Sequence, residues 1–198
     1  MKITLGLAVG LTTEQRDPLD YIRQLALESD ASVVQLNLGP AVLRINVSLV
    51  SAAQLKRVTP NERFAVVVTT TERLYLFINP NLAHTPVNRE KLVSFMALNA
   101  FLTATRTSDA YPDFIKIEER PIIIEMAYAK SLLTPKEYES YKLWRAKIDR
   151  TGFFDSLEWE TKVELTLRKL PQIISGIIRI AELEKDNFEA QRNVPMVQ

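Results

Sequence analysis

One stretch decides how the rest of this chain is organised: Asn88–Ile148, which reads NREKLVSFMALNAFLTATRTSDAYPDFIKIEERPIIIEMAYAKSLLTPKEYESYKLWRAKI. Its first part carries apolar residues on most of its circumference, which predicts a central helix buried on more than one side. These apolar residues are Leu92, Val93, Phe95, Met96, Leu98, Phe101 and Leu102. The residues before the stretch read as sheet for this helix to cover, and the residues after it read as a helical extension.

The middle of the stretch is rich in β-branched residues and predicts a β-hairpin. The hairpin would pair Phe114–Glu118 with Pro121–Tyr128 and turn at Glu119-Arg120. The two acids at its tip, Glu118 and Glu119, are then expected to be solvated rather than catalytic.

The last part of the stretch predicts a second helix. It opens with Thr134–Glu137, which has the pattern of a capping box with a proline at the first helical position. One face carries Tyr138, Tyr141, Trp144 and Ile148. Basic residues lie beside them: Lys136, Lys142, Arg145, Lys147 and Arg150. Aromatic and basic residues together can stack single-stranded nucleic acid, but a helix with its aromatic face against the sheet is favoured because the total charge is near neutral.

Two hairpins are predicted before the central helix. The first joins strands at Ser32–Leu38 and Ala41–Val50, and the second joins strands at Phe64–Thr69 and Arg73–Ile78. Upstream, Asp17-Pro18 is a typical helix start. The N-terminal alternation of apolar and small or polar residues over 3–9 predicts one more strand.

The C-terminal part predicts a helical arm interrupted or kinked at Pro171, which lacks a backbone donor. An apolar stripe follows the proline: Ile173, Ile174, Ile177, Ile178, Ala181 and Leu183. Three interpretations stay open for this stripe: packing on its own sheet, pairing with the same helix of another subunit, and binding of a partner.

Together these patterns predict an α+β fold. We expect an antiparallel sheet of roughly five to seven strands packed by a buried central helix, with a long kinked C-terminal helical arm. The α+β domain would span residues 1–150, and the arm, packed on the domain or on a partner, would span 151–192.

Composition argues against most catalytic chemistry. The chain of 198 residues has no cysteine, so thiolate metal sites and cysteine nucleophiles are excluded, and its one histidine, His84, lies in a proline- and asparagine-rich loop. None of its five glycines stands in a phosphate-binding pattern. The net charge is +1, which gives no general attraction to nucleic acid or anionic lipid. We therefore expect no cofactor, no metal and no catalytic residue.

The order of elements resembles the type III secretion chaperone-like superfamily. The resemblance is carried by Leu98-Asn99 in the central helix, by Phe114–Ile117 and Pro121–Glu125, and by the junction Leu132–Glu137. It covers about half of the chain, as judged from pattern and order. The resemblance implies a small α+β dimer that holds a polypeptide on apolar patches and performs no reaction. The arm after Gly152 and the balanced charge depart from that family.

The favoured function is a non-catalytic, chaperone-like protein-binding or assembly protein, cytoplasmic and homo-oligomeric. A structural subunit of a phage or secretion machine is the alternative, and an enzyme working through carboxylates is the third hypothesis. The predicted partner-binding residues are Tyr138, Tyr141, Trp144, Ile173, Ile174, Ile177, Ile178 and Leu183.

Overall fold

The computed structural model describes residues 18–38, 41–60, 64–69, 74–81, 85–149 and 151–192. The described residues form one sheet and a set of α-helices, so the predicted α+β class is confirmed. The strands are β1 (Asp30–Leu38), β2 (Ala41–Leu49), β3 (Ala65–Thr69) and β4 (Leu74–Ile78). The helices are α1 (Pro18–Glu28), α2 (Ala52–Val58), α3 (Arg89–Ala104), α4 (Arg120–Leu132), α5 (Pro135–Ile148), α6 (Trp159–Arg168) and α7 (Leu170–Arg192).

The sheet order is β1-β2-β4-β3. Both hairpins predicted before the central helix are confirmed, because β1 with β2 and β3 with β4 are antiparallel pairs. The two hairpins join through β2 and β4, which run parallel at Ser48↔Phe77 and Leu49↔Ile78. The prediction of five to seven antiparallel strands was wrong for the described residues, which form four strands in a mixed sheet. The strand predicted at residues 3–9 lies outside them.

The hairpin predicted at Phe114–Tyr128 was also wrong. Residues Ile117–Glu119 form a short 3-10 helix, and α4 begins at Arg120 with Pro121 in its first turn. Every residue from Pro121 to Ala129 is buried. The β-branched residues that suggested strands therefore lie in α4, which is buried on all sides. This burial outweighs their strand propensity.

Two layers of helices cover the sheet. Helix α3, the predicted central helix, is confirmed and packs on the face that carries the main core. A smaller core on the opposite face joins Ile22 and Leu25 of α1, Leu55 of α2 and Phe77 of β4. Helices α1 and α2 thus cover the opposite face around β4.

The C-terminal helices belong to the main core of this chain. Trp159 and Val163 of α6 and Ile174 and Ile177 of α7 are buried in it. Helix α6 packs against α4. Lys162 Nζ of α6 also lies 2.7 Å from Oε2 of Glu119, the residue just before α4. The predicted interruption near Pro171 is confirmed, since α6 ends at Arg168 and α7 begins at Leu170. None of the described helices is long and apolar enough to cross a membrane.

Candidate functional site

Most of the residues predicted to bind a partner are buried within this chain. Tyr138, Tyr141, Ile173, Ile174 and Ile177 are buried. Trp144 and Ile178 are partly buried, and the side chain of Leu183 lies outside the described part. Their role in partner binding stays a prediction. Among the predicted partner-binding residues whose side chains are described, only Trp144 and Ile178 offer appreciable exposed area in this conformation.

A fully buried carboxylate lies at the centre of the helical layer. Glu125 of α4 is 0% exposed, and Arg145 of α5 approaches it with two nitrogens. Arg145 Nε donates to Oε1 at 2.7 Å and Nη2 to Oε2 at 3.0 Å. The Tyr141 hydroxyl donates to Oε1 at 2.6 Å, and Asn99 Nδ2 donates to Oε2 at 2.7 Å. We call these four residues the Glu125 network.

The Glu125 network has no free acceptor for a substrate. Each carboxylate oxygen already accepts two hydrogen bonds, which is its ordinary capacity. Burial, reinforced by the negative charge of Glu125, raises the pKa of Tyr141 well above its usual value. Burial alone would lower the pKa of Arg145, but the Glu125 carboxylate more than offsets this and keeps the guanidinium charged. The network is therefore a closed ion pair, suited to fix the packing of α3, α4 and α5.

Within the described residues, the outer edge of β1 is left open. Among the described strands, β2 is the only one that pairs with β1. β1 is nine residues long, whereas the other edge strand among the described residues, β3, has five residues; α3 packs against both strands. Natural edge strands are commonly short, or carry lysine, proline or a bulge that blocks further pairing. β1 contains no basic residue, proline or glycine.

Alternate residues of β1 direct their backbone groups away from β2. Leu38 and Ala41 form the last register pair of the hairpin and are separated by two residues in sequence, which makes them a hydrogen-bonded pair. Every second residue before Leu38 bonds β2 in the same way. The N–H and C=O groups of Ala31, Val33, Gln35 and Asn37 consequently point to the open edge.

A groove of about 410 Å³ runs along this edge, between β1 and the first two turns of α3. Its lining, which defines the edge groove, is Ser32, Val33, Val34, Gln35, Leu49, Arg89, Glu90, Val93 and Ser94. Side chains of a strand alternate between faces, so four consecutive β1 residues can share one groove only at the strand edge. The apolar floor and the charged residues of α3 give this groove a surface of mixed polarity.

A smaller cavity of about 250 Å³ lies at the end of the sheet and is more polar. Glu28, Asp30, Gln54 and Arg89 are among its lining residues. Glu28 already pairs with Arg57, its Oε2 lying 3.6 Å from Nη1. Within the described ranges, no three histidines or acids come together as a metal site. His84 is outside those ranges.

The pair of acids predicted at a hairpin tip lies instead in the turn before α4. Glu119 forms its ion pair with Lys162 of α6, while Glu118 is exposed. Two of the basic residues predicted beside the aromatic face of α5 form ion pairs within the chain. Arg145 is buried, and Lys142 Nζ lies 2.8 Å from Glu139 and 3.1 Å from Glu160.

Scans against models of known protein families, characterised proteins and solved structures each found no match to this chain. The resemblance to the type III secretion chaperone-like superfamily stays a prediction. Two of the segments that carried it, Phe114–Ile117 and Pro121–Glu125, do not form strands in this structure.

Sequence reasoning missed both the Glu125 network and the edge groove. A signal for the network was present, because Glu125 interrupts an apolar run and Tyr141 and Arg145 are spaced four apart on the next helix. The sequence signal for the edge groove was weaker. Strand β1 was predicted, but its position at the sheet edge depends on the pairing of β2 with β4, which joins distant parts of the sequence.

Proposed function

We propose that this is a non-catalytic polypeptide-binding or assembly protein that accepts an extended segment along the open edge of β1. The observation that carries the proposal is the nine-residue strand with outward backbone groups beside the edge groove. Strand addition satisfies such backbone groups, and pockets for alternate side chains supply specificity. A cytoplasmic location, predicted from the cysteine-free sequence, is part of this proposal.

The side chains around the edge favour this mode of binding. Val33 is 62% exposed on the outer face of β1, next to the backbone groups that an added strand would meet. On the groove side, Val34, Leu49 and Val93 offer apolar contacts, and Arg89 provides a charge at the rim. A segment of alternating apolar and polar residues would match both faces.

The closed state of the Glu125 network favours binding over catalysis. Its carboxylate is the one fully buried acid among the described residues, and all of its acceptor positions are taken. A general acid or base has to reach a substrate proton within hydrogen-bonding distance.

The open edge of β1 would also serve the alternative function, a structural subunit of a larger assembly.

The test uses fluorescent nine-residue peptides with alternating apolar and polar residues, including the β1 sequence Asp30–Leu38. The variant Gln35→Pro loses the side-chain bond that Gln35 Oε1 accepts from Arg44 Nε of β2, and it keeps the backbone bonds from β1 to β2. It also removes the outward N–H of residue 35. Gln35→Ala is the matched control, because it keeps that N–H.

We expect peptide binding to the native chain and to Gln35→Ala, and loss of binding to Gln35→Pro, measured by fluorescence anisotropy at low protein concentration. Equal binding to all three proteins, or no binding by any of these peptides, would contradict the proposed function. Circular dichroism and the unfolding midpoint verify that each variant is folded.

A further inference from the structure

We propose that the segment added to β1 is β1 of a second copy, so that two chains form a twofold symmetric dimer in which the four described strands of each chain join in one continuous sheet. This inference rests on the proposed function and names its partner. It is carried by the pairing pattern of the strand, by its charge distribution and by the position of the edge groove.

The strand can pair with itself over its whole length. In an antiparallel ladder centred on Val34, Val33 lies opposite Gln35 of the second copy and Ala31 lies opposite Asn37. These are the residues whose backbone groups point outward, so each finds a hydrogen-bonding partner across the new pair. The same patch is used on both chains, which closes the assembly at two copies.

The charges of β1 are compatible with this arrangement. Asp30, at the start of the strand, is its one charged residue. In the antiparallel ladder each Asp30 lies opposite Leu38 of the other copy, and the two aspartates are about 27 Å apart at 3.4 Å per residue. That separation exceeds the screening length of about 8 Å at physiological salt. Self-pairing therefore brings no like charges together within the ladder.

The edge groove lies where the symmetry axis would pass. It is lined by Ser32–Gln35, the middle of β1, and by the first two turns of α3. The start of α3 would thus approach its symmetry mate. Arg89 and Glu90 are both exposed and adjacent at this helix start, so each arginine can face the glutamate of the other copy. Val93 and Ser94 contribute smaller side chains to the same contact.

The first measurement is the molar mass of the full chain by sedimentation equilibrium over a range of concentrations. We expect a reversible dimer for the native chain. Gln35→Pro should raise the dissociation constant of the dimer about 10- to 100-fold, because two symmetry-related hydrogen bonds are lost. Gln35→Ala, which keeps the backbone donor, should change the constant much less.

A charge exchange tests the α3 contact without touching the strand. Arg89→Glu leaves only acids at positions 89 and 90 and should weaken the dimer about three- to tenfold at low salt. The double variant Arg89→Glu/Glu90→Arg restores opposite charges across the axis and should recover most of the affinity. Recovery would not be expected if Arg89 acted only within its own chain.

Hydrogen exchange separates the failure of this inference from that of the proposed function. We expect the amides of Val33 and Gln35 to be protected in the native dimer and to exchange rapidly when the native chain is diluted below its dissociation constant. A monomeric native chain, or a dimer indifferent to Gln35→Pro, overturns the self-pairing. If such a chain still binds the peptides through Gln35, the proposed function stands. If the amides of Val33 and Gln35 are protected in a monomer, another segment of the same chain occupies the outer edge of β1.

Discussion

The centre of the helical layer and the open edge of the sheet both present strong hydrogen-bonding groups, but they satisfy them differently. Around Glu125, four donors and two carboxylate oxygens are matched inside one chain at 2.6–3.0 Å. Along β1, the outward backbone groups of alternate residues have no partner strand among the described residues. The comparison separates groups that hold this chain together from backbone groups that no described strand pairs with.

The difference also shows why the apolar stripes of this sequence do not mark its open surface. A stripe such as Ile173–Ile177 suggests a surface for a partner, but here it completes the core. The unpaired groups of β1 are instead backbone N–H and C=O groups, and every residue except proline carries both of them. Unpaired strand edges therefore indicate open surface in this molecule better than apolar stripes do.

Removal of the C-terminal helices should have the largest effect on the closed region. A chain that ends at Arg150 lacks Trp159, Val163, Ile174 and Ile177, all buried in the main core. At about 1.5–3 kcal/mol for each buried side chain, the loss is comparable to the 5–15 kcal/mol that stabilise a typical domain. We expect no cooperative unfolding transition by circular dichroism. A truncated chain that unfolds cooperatively would show that these helices are an appendage.

The second largest loss of stability is expected when one partner is removed from the Glu125 network. Arg145→Met leaves Glu125 buried without its counter-ion and should lower the free energy of unfolding by about 3–5 kcal/mol. The double variant Glu125→Gln/Arg145→Met removes the unpaired charge and should recover part of that loss. Urea denaturation of the two variants measures the difference. Equal stability of the single and double variants would argue against a charged pair.

Alkaline pH should weaken the core before it affects the edge. Burial raises the pKa of Tyr111 to about 12 from 10.0. The unfolded chain loses the tyrosine proton near pH 10, so the stabilisation is complete below pH 10 and is lost as the pH rises toward 12. At 1.36 kcal/mol per pKa unit, Tyr111 accounts for about 2–3 kcal/mol of this loss. The measurement is the free energy of unfolding against pH, which should fall less steeply for Tyr111→Phe.

The smallest effect on stability is expected at the edge itself. Val33→Ala, at a position 62% exposed, should change the free energy of unfolding by no more than about 0.5 kcal/mol. Its neighbour Val34 is 8% exposed on the opposite face, so Val34→Ala should cost roughly 2 kcal/mol. Thermal denaturation of the two variants tests this alternation. A similar loss at both positions would mean that Val33 is also part of the packed interior.

Local signals predicted much of the fold correctly. The Thr134 side chain accepts a bond from the Glu137 amide at 3.2 Å, and Glu137 accepts one from the Thr134 amide at 2.9 Å, as a capping box requires. The start of α1 at Pro18 and the two hairpins were likewise encoded in neighbouring residues. Each of these features depends on contacts close in sequence.

Features that depend on distant contacts could not be predicted in this way. The isoleucines after Pro121 suit a strand by propensity, and only their burial between other helices makes them helical. The Glu125 network joins three helices, and its longest-range hydrogen bond links residues 26 positions apart. A proline two residues after the paired acids was the one local hint of a helix start at Arg120.

The narrow junction between β2 and β4 has a consequence for how the molecule folds. Each hairpin forms from contacts close in sequence, whereas the parallel junction has two register pairs and requires β2 and β4 to meet across the intervening α2 and β3. Closing that longer loop carries an entropic cost that the hairpins avoid. We therefore expect the two hairpins to form early, and their docking to be a late step that coincides with the burial of Phe77 beneath α1.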